Sequence, residues 1–142
     1  MPVKKMGYEG LLYYGAAGST AATQVTNSRD IEYAITPTTA PTTIRGSGSA
    51  APIKTGRTVE RTATLTWTMI NKSDDSTLTA LRAAANTGDP VALRYIPHSG
   101  STGLDADCVI SCTNGAPLNG EETFDFAVVD LNDDNRAPLL NS

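Results

Sequence analysis

The stretch Thr62-Ala63-Thr64-Leu65-Thr66-Trp67-Thr68-Met69-Ile70 alternates threonine with apolar residues almost without a break. A period of two puts Ala63, Leu65, Trp67 and Met69 on one face of a strand and the threonines on the other, one face dry and one wet. The polar break Asn71 to Asp75 follows, offering Ser73, Asp74 or Asp75 as a helix N-cap. Leu78, Leu81 and Ala85 then recur at helical spacing. Gly88 supplies a C-terminal stop and Asp89-Pro90 forbids continuation. The spacing predicts a helix over about 74–87, and Val91 to Ile96 returns to strand character. This strand–helix–strand unit holds the only tryptophan and is the expected core.

At 142 residues the chain has the length of a single domain, 1–142, able to bury a sizeable core. Its formal net charge is −4 and its pI is near 4.8, a poor basis for gripping nucleic acid, which needs a basic face. Cys108 and Cys112 are the only cysteines. Four residues apart on a strand they lie about 13 Å from each other, too far for a disulfide, so they read as reduced core residues. Lys4-Lys5 is followed by Glu9 and several glycines, which leave no signal-peptide apolar run, and nothing approaches a transmembrane span. The expectation is a soluble chain made in the cytoplasm.

Taken in order, residues 1–6 read as an arm, Tyr8 to Tyr14 as a first strand, and Val25 to Thr36 as a second. Residues 37–58 read as a long loop. It carries Pro37, Pro41 and Pro52, the isolated Ile44 and Ile53, and Arg45, Lys54 and Arg57 in an otherwise acidic chain. Leu104 to Thr113 is a further strand, with Leu104, Ala106, Cys108, Ile110 and Cys112 inward and Asp105, Asp107, Val109 and Ser111 outward. Asn114-Gly115 signals a turn. Thr123 to Leu131 is the last strand, with Phe124, Phe126 and Val128 inward and Asp125 outward. Residues 132–142 form a polar tail with Leu139-Leu140 near its tip. Together these predict a mainly β protein: an antiparallel sandwich or barrel of about six or seven strands with one flanking helix. The expected core is Leu65, Trp67, Met69, Leu78, Leu81, Ile110, Phe124 and Phe126.

Catalytic chemistry is poorly represented. Gly46-Ser47-Gly48-Ser49-Ala50-Ala51 matches a dinucleotide-binding pattern on paper, but Pro52 and Lys54 follow where the motif needs a helix to begin. His98 is the single histidine, set in a glycine-rich turn, so a Ser-His-Asp triad would have to be built on it. One histidine and two core cysteines make no metal site. Asp105 and Asp107 on one strand face would stand roughly 6–7 Å apart, a spacing compatible with a glycosidase pair, yet their neighbours are threonines and serines rather than sugar-holding aromatics. A solvated acidic face is the simpler reading. No enzyme activity, cofactor or metal is expected.

Several stretches, in this order and spacing, resemble the major tail tube protein of long-tailed bacteriophages. These are Gly7-Tyr8-Glu9-Gly10 with Leu12-Tyr13-Tyr14-Gly15; Thr42-Thr43-Ile44-Arg45-Gly46; the threonine-rich strand ending Trp67-Thr68-Met69; and the helix with Leu78 and Ala80-Leu81-Arg82. Gly103-Leu104-Asp105-Ala106-Asp107 and Pro117-Leu118 leading into Thr123-Phe124-Asp125-Phe126 complete the set, which spans nearly the whole chain. The resemblance implies a non-enzymatic virion protein whose fold is shared with the tubes of contractile tails and of type VI secretion. Six copies would form a ring, and rings would stack into a hollow tail tube through which DNA passes without specific binding. The implied partners are further copies of the chain and the tape-measure, tail-tip and tail-terminator proteins, with assembly in the host cytoplasm and no membrane. On this chain the resemblance assigns ring-to-ring or subunit contacts to Ile44, Arg45, Gly46, Ile53, Lys54 and Arg57. It assigns the lumen to strand faces carrying threonines or acidic residues, with Glu32, Asp105, Asp107 and Asp125 as candidates. A joining protein that forms a single ring and a carbohydrate-binding sandwich are the alternatives. The second needs exposed aromatics, whereas the only tryptophan alternates with the inward set.

Overall fold

A computed structural model describes residues 4–43 and 51–140. After a short 3-10 turn at Gly7–Glu9, the elements are β1 (Leu11–Ala16), β2 (Thr23–Gln24), β3 (Ser28–Pro41), β4 (Gly56–Ile70), α1 (Ser76–Thr87), β5 (Val91–Ile96), β6 (Leu104–Gly115), β7 (Thr123–Asn132) and β8 (Leu139–Leu140). The strands form one antiparallel sheet in the order β2-β1-β5-β6-β7-β4-β3, with β8 paired to β6, and the sheet does not close into a barrel. There are eight strands rather than six or seven. The additional ones, β2 and β8, are two residues long and too short to carry a periodic signal.

The chain separates into two compact units, Met1–Tyr33 with Thr64–Ser142, and Ala34–Ala63. In the larger unit Leu65, Trp67, Met69, Leu78, Leu81, Ile110, Phe124 and Phe126 are all buried. Trp67 stands opposite Phe126 in the β4–β7 register, and their rings stack with centroids 5.4 Å apart. Such a cross-strand aromatic pair adds about 0.5–1.5 kcal/mol to the burial of its area. α1 packs its Leu78, Leu81 and Ala84 stripe onto the face of β6 and its neighbours. Asp75 is the N-cap, its carboxylate accepting from the backbone N–H groups of Thr77 (3.1 Å) and Leu78 (3.2 Å). The Asn27 amide donates both to that carboxylate (3.1 Å) and to the Ile70 carbonyl (2.6 Å), tying the helix start to the end of β4. Gly88 closes the helix with φ +78°, in the left-handed region that disfavours a side chain.

The smaller unit corrects the sequence reading. The expected loop over 37–58 is shorter than the sequence reading gave it: its two ends are strand, because β3 runs on to Pro41 and β4 begins at Gly56, and residues 42–43 and 51–55 carry no strand. Where the strands end, Thr42 N–H donates to the Thr55 carbonyl (3.0 Å), Thr55 N–H donates to the Thr43 hydroxyl (2.8 Å), and the Thr42 and Thr55 hydroxyls bond each other. Two physical reasons hid the ribbon. Neither face of it is buried before Ala63, so no period-two hydrophobic signal arises. Prolines are also tolerated on a strand with a free edge, and β3 ends the strand order.

A second correction concerns β6. Asp105 and Asp107, expected on a solvated outward face, are 6% and 0% exposed. The first five residues of β6 are buried on both faces, because the C-terminal segment folds back over the outer one. The tail expected as polar docks through its apolar pair, with Leu139 and Leu140 pairing to Asp105 and Leu104.

Candidate functional site

The chemical candidates resolve first. Arg136, from the segment between β7 and β8, donates from Nε to Asp107 (2.9 Å) and from a terminal nitrogen to Asp105 (2.7 Å). The second oxygen of Asp107 accepts the Gly18 backbone N–H at 2.8 Å. Burial opposes the guanidinium charge, but its bonds to the two carboxylates outweigh that and hold the Arg136 pKa above its usual value. The aspartate pair is thus buried and clamped by Arg136. Sequence reasoning missed Arg136, since one arginine in a polar tail carries no periodicity. Next along the strand, burial, helped by the charge of Asp107, pushes the Cys108 thiol up to about 12, and both cysteines are free. His98 lies in the turn after β5 with Nδ1 3.1 Å from the Ser99 carbonyl. Among the described residues no group of three or more His, Cys, Asp or Glu could hold a metal ion. Among the described residues no helix is long and apolar enough to cross a membrane.

The remaining lumen candidates, Glu32 on β3 and Asp125 on β7, are exposed, and Asp125 accepts from the Thr68 hydroxyl at 2.7 Å. The β4–β7–β6 register sets Thr66 beside Ala127 and Ser111, and Thr68 beside Asp125 and Thr113. This face is small and hydroxyl-rich. Beyond the turn joining β6 to β7, hydrogen bonds from Asn114 and Asn71 hold the Glu122 pKa below the usual carboxylate value.

The ribbon carries the other group of candidates. Ile53 is 84% and Val59 62% exposed, and Lys54 and Arg57 are exposed beside them. Ile44, Arg45 and Gly46 lie outside the described residues. Of the charged residues, Arg45, Lys54, Arg57, Arg61 and Glu60 fall in residues 34–63, a net of +3 against −7 for the rest of the chain, which together give the formal −4. In the larger unit, Tyr8 is 83% and Met6 55% exposed, and Leu118 at the tip of the β6–β7 turn is 97% exposed. A cleft of about 510 Å³ opens between the Gly7–Gly10 turn and the start of β3 at Ser28–Ile31.

No protein-family model and no curated protein matches the chain. Among solved structures, the fold is similar to a chain in the tail of an empty gene transfer agent (GTA) particle with C6 symmetry. The match has a TM-score of 0.73 and 17% identity, and covers 98% of this chain and 100% of that one. It is also similar to a chain in the virion of a native gene transfer agent particle, with a TM-score of 0.66, 15% identity and the same coverage.

Proposed function

We propose that this chain is a structural, non-enzymatic subunit of a phage-like tail, whose copies form six-membered rings that stack into a hollow tube for DNA. The observation that carries the reading is the ribbon of residues 34–63. A two-stranded ribbon without a buried face is marginal in water, and a free strand edge, with Val59 exposed on β4 and Ile53 exposed in the segment before it, invites pairing with another chain. Its net charge of +3 in a chain of net −4 fits a head-to-tail contact, which repeats without closing and so builds a filament. The whole-chain likeness to a C6 tail chain supports the same reading.

A single chain of eight strands cannot enclose a channel for duplex DNA, since eight-stranded barrels are filled by their own side chains. A ring that pools strands from several copies can. Six copies at −4 carry about −24, a field that repels phosphates and lets DNA slide. With Asp105 and Asp107 buried, the lumen lining in this proposal falls to the hydroxyl face with Asp125, and to Glu32.

The test is electron microscopy of the purified full-length protein over a range of concentrations, with and without deletion of Gly46 to Thr55. The expected result is six-membered rings and hollow rods from the wild type, and loss of rods in the deletion. Rods of unchanged length and stability in the deletion overturn the stacking role. A wild type that gives single rings and never stacks, even when seeded with tail tips, makes this a joining protein instead.

A further inference from the structure

The ribbon needs a receiving surface, and the larger unit offers one that its own core leaves unfilled. The cleft of about 510 Å³ has Gly7, Tyr8 and Gly10 on one wall and Ser28–Ile31 on the other. A side chain added at Gly7 would begin in open space, with nothing within 4 Å of its Cβ. Tyr8 presents most of its ring to solvent there, and Ile31 is half-buried at the floor. The rim is charged. Asp30 is exposed in the wall, at a backbone φ of +49°. Beside it Arg29 is bridged at 3.3 Å by Glu121, whose side chain remains 67% exposed. A cleft walled by Tyr8, Ile31 and two glycines alongside Ser28, Arg29 and Asp30, with the exposed Glu121 carboxylate held at Arg29, can take an apolar side chain followed by cations.

One described segment of this sequence matches that requirement. Pro52-Ile53-Lys54 offers the most exposed aliphatic side chain among the described residues of the ribbon, stiffened on one side by a proline and followed by Lys54 and then Arg57. We infer that the cleft between Gly7–Gly10 and Ser28–Ile31 is the socket for Ile53 of a second copy of this chain, with Lys54 and Arg57 facing Asp30 and Glu121. This rests on the stacking role proposed for the ribbon and names the surface it grips. Ile53 is the anchor, desolvated against Tyr8 and Ile31, and the charges set direction and register. Socket and plug are different surfaces, so each added copy presents a fresh socket and growth continues.

The test uses full-length protein. Gly7→Leu fills the socket from a position where a Cβ meets nothing, so it leaves the melting temperature unchanged while raising the concentration needed for rod growth by about tenfold or more. The second arm mixes two variants with one added cysteine each, Ile53→Cys and Tyr8→Cys, both carrying Cys112→Ala, with buried Cys108 left in place. Mild oxidation of the co-assembled mixture is expected to give a disulfide-linked dimer, whereas either variant alone, and Ile53→Cys mixed with Leu118→Cys, gives none. Rods that form normally with Gly7→Leu, or whose Ile53→Cys links to Leu118→Cys rather than Tyr8→Cys, overturn the socket and leave stacking by the ribbon intact. A wild type that stays monomeric at every concentration, even with tail-tip seeds, overturns both.

Discussion

Replacing Arg136 by Met tests whether the clamp on β6 is a buried ion pair or a surface ornament. Asp107 is wholly buried and Asp105 nearly so, and Arg136 bonds both carboxylates. Methionine keeps most of the apolar stem but leaves two buried carboxylates with a single backbone N–H, from Gly18, on one of them. Breaking a buried pair from one side costs about 3–5 kcal/mol, because the remaining charge stays desolvated. For a domain of this size that is a fall in melting temperature of about 10–20 °C, out of a total stability of about 5–15 kcal/mol. Urea unfolding followed by tryptophan fluorescence reads the loss as a lower midpoint at unchanged slope. The double variant Asp107→Asn with Arg136→Met is expected to recover about 1–3 kcal/mol relative to the sum of the singles, since the two act on one network. Arg136→Lys keeps the charge but not the fork that reaches both aspartates, and should fall between. A loss below about 1 kcal/mol for Arg136→Met, the value of an exposed pair, would refute the reasoning.

Three further outcomes are expected. Cys108 holds its proton to about 12 in the folded state against 9.0 when unfolded, so its contribution to stability is complete below pH 9 and is lost as pH rises toward 12. Thiol titration at pH 8 should therefore leave Cys108 unmodified until denaturant is added, and rapid labelling in the native state would contradict the burial. Asp75→Ala removes the helix N-cap and one partner of Asn27, and should cost about 1 kcal/mol in urea melts, with Gly88→Ala at the left-handed C-cap costing a similar amount. Lys54→Glu with Arg57→Glu changes only exposed residues, so circular dichroism and melting temperature should hold while rods are lost at low salt; normal rods would remove electrostatics from the contact.

The sequence by itself determined those parts in which one face of an element meets a core. Leu65, Trp67 and Met69 alternate because their strand is dry on one side. Leu78 and Leu81 recur because α1 lies on the sheet, and Asp75 and Gly88 mark its ends by backbone chemistry that needs no long-range partner. What only the tertiary structure decided lay where periodicity is silent. The ribbon's strands over 37–41 and 56–61 bury neither face, so composition and prolines made those ends look like part of the loop between them. Asp105 and Asp107 obey the period of two and are nonetheless buried, because Arg136, 29 residues beyond Asp107, returns to cover the outer face. Alternation says which side of a strand a residue takes, and it cannot say whether a distant segment will come back to that side with a matching charge. That pairing across sequence, rather than any local pattern, turns an apparently solvated acidic face into part of the core.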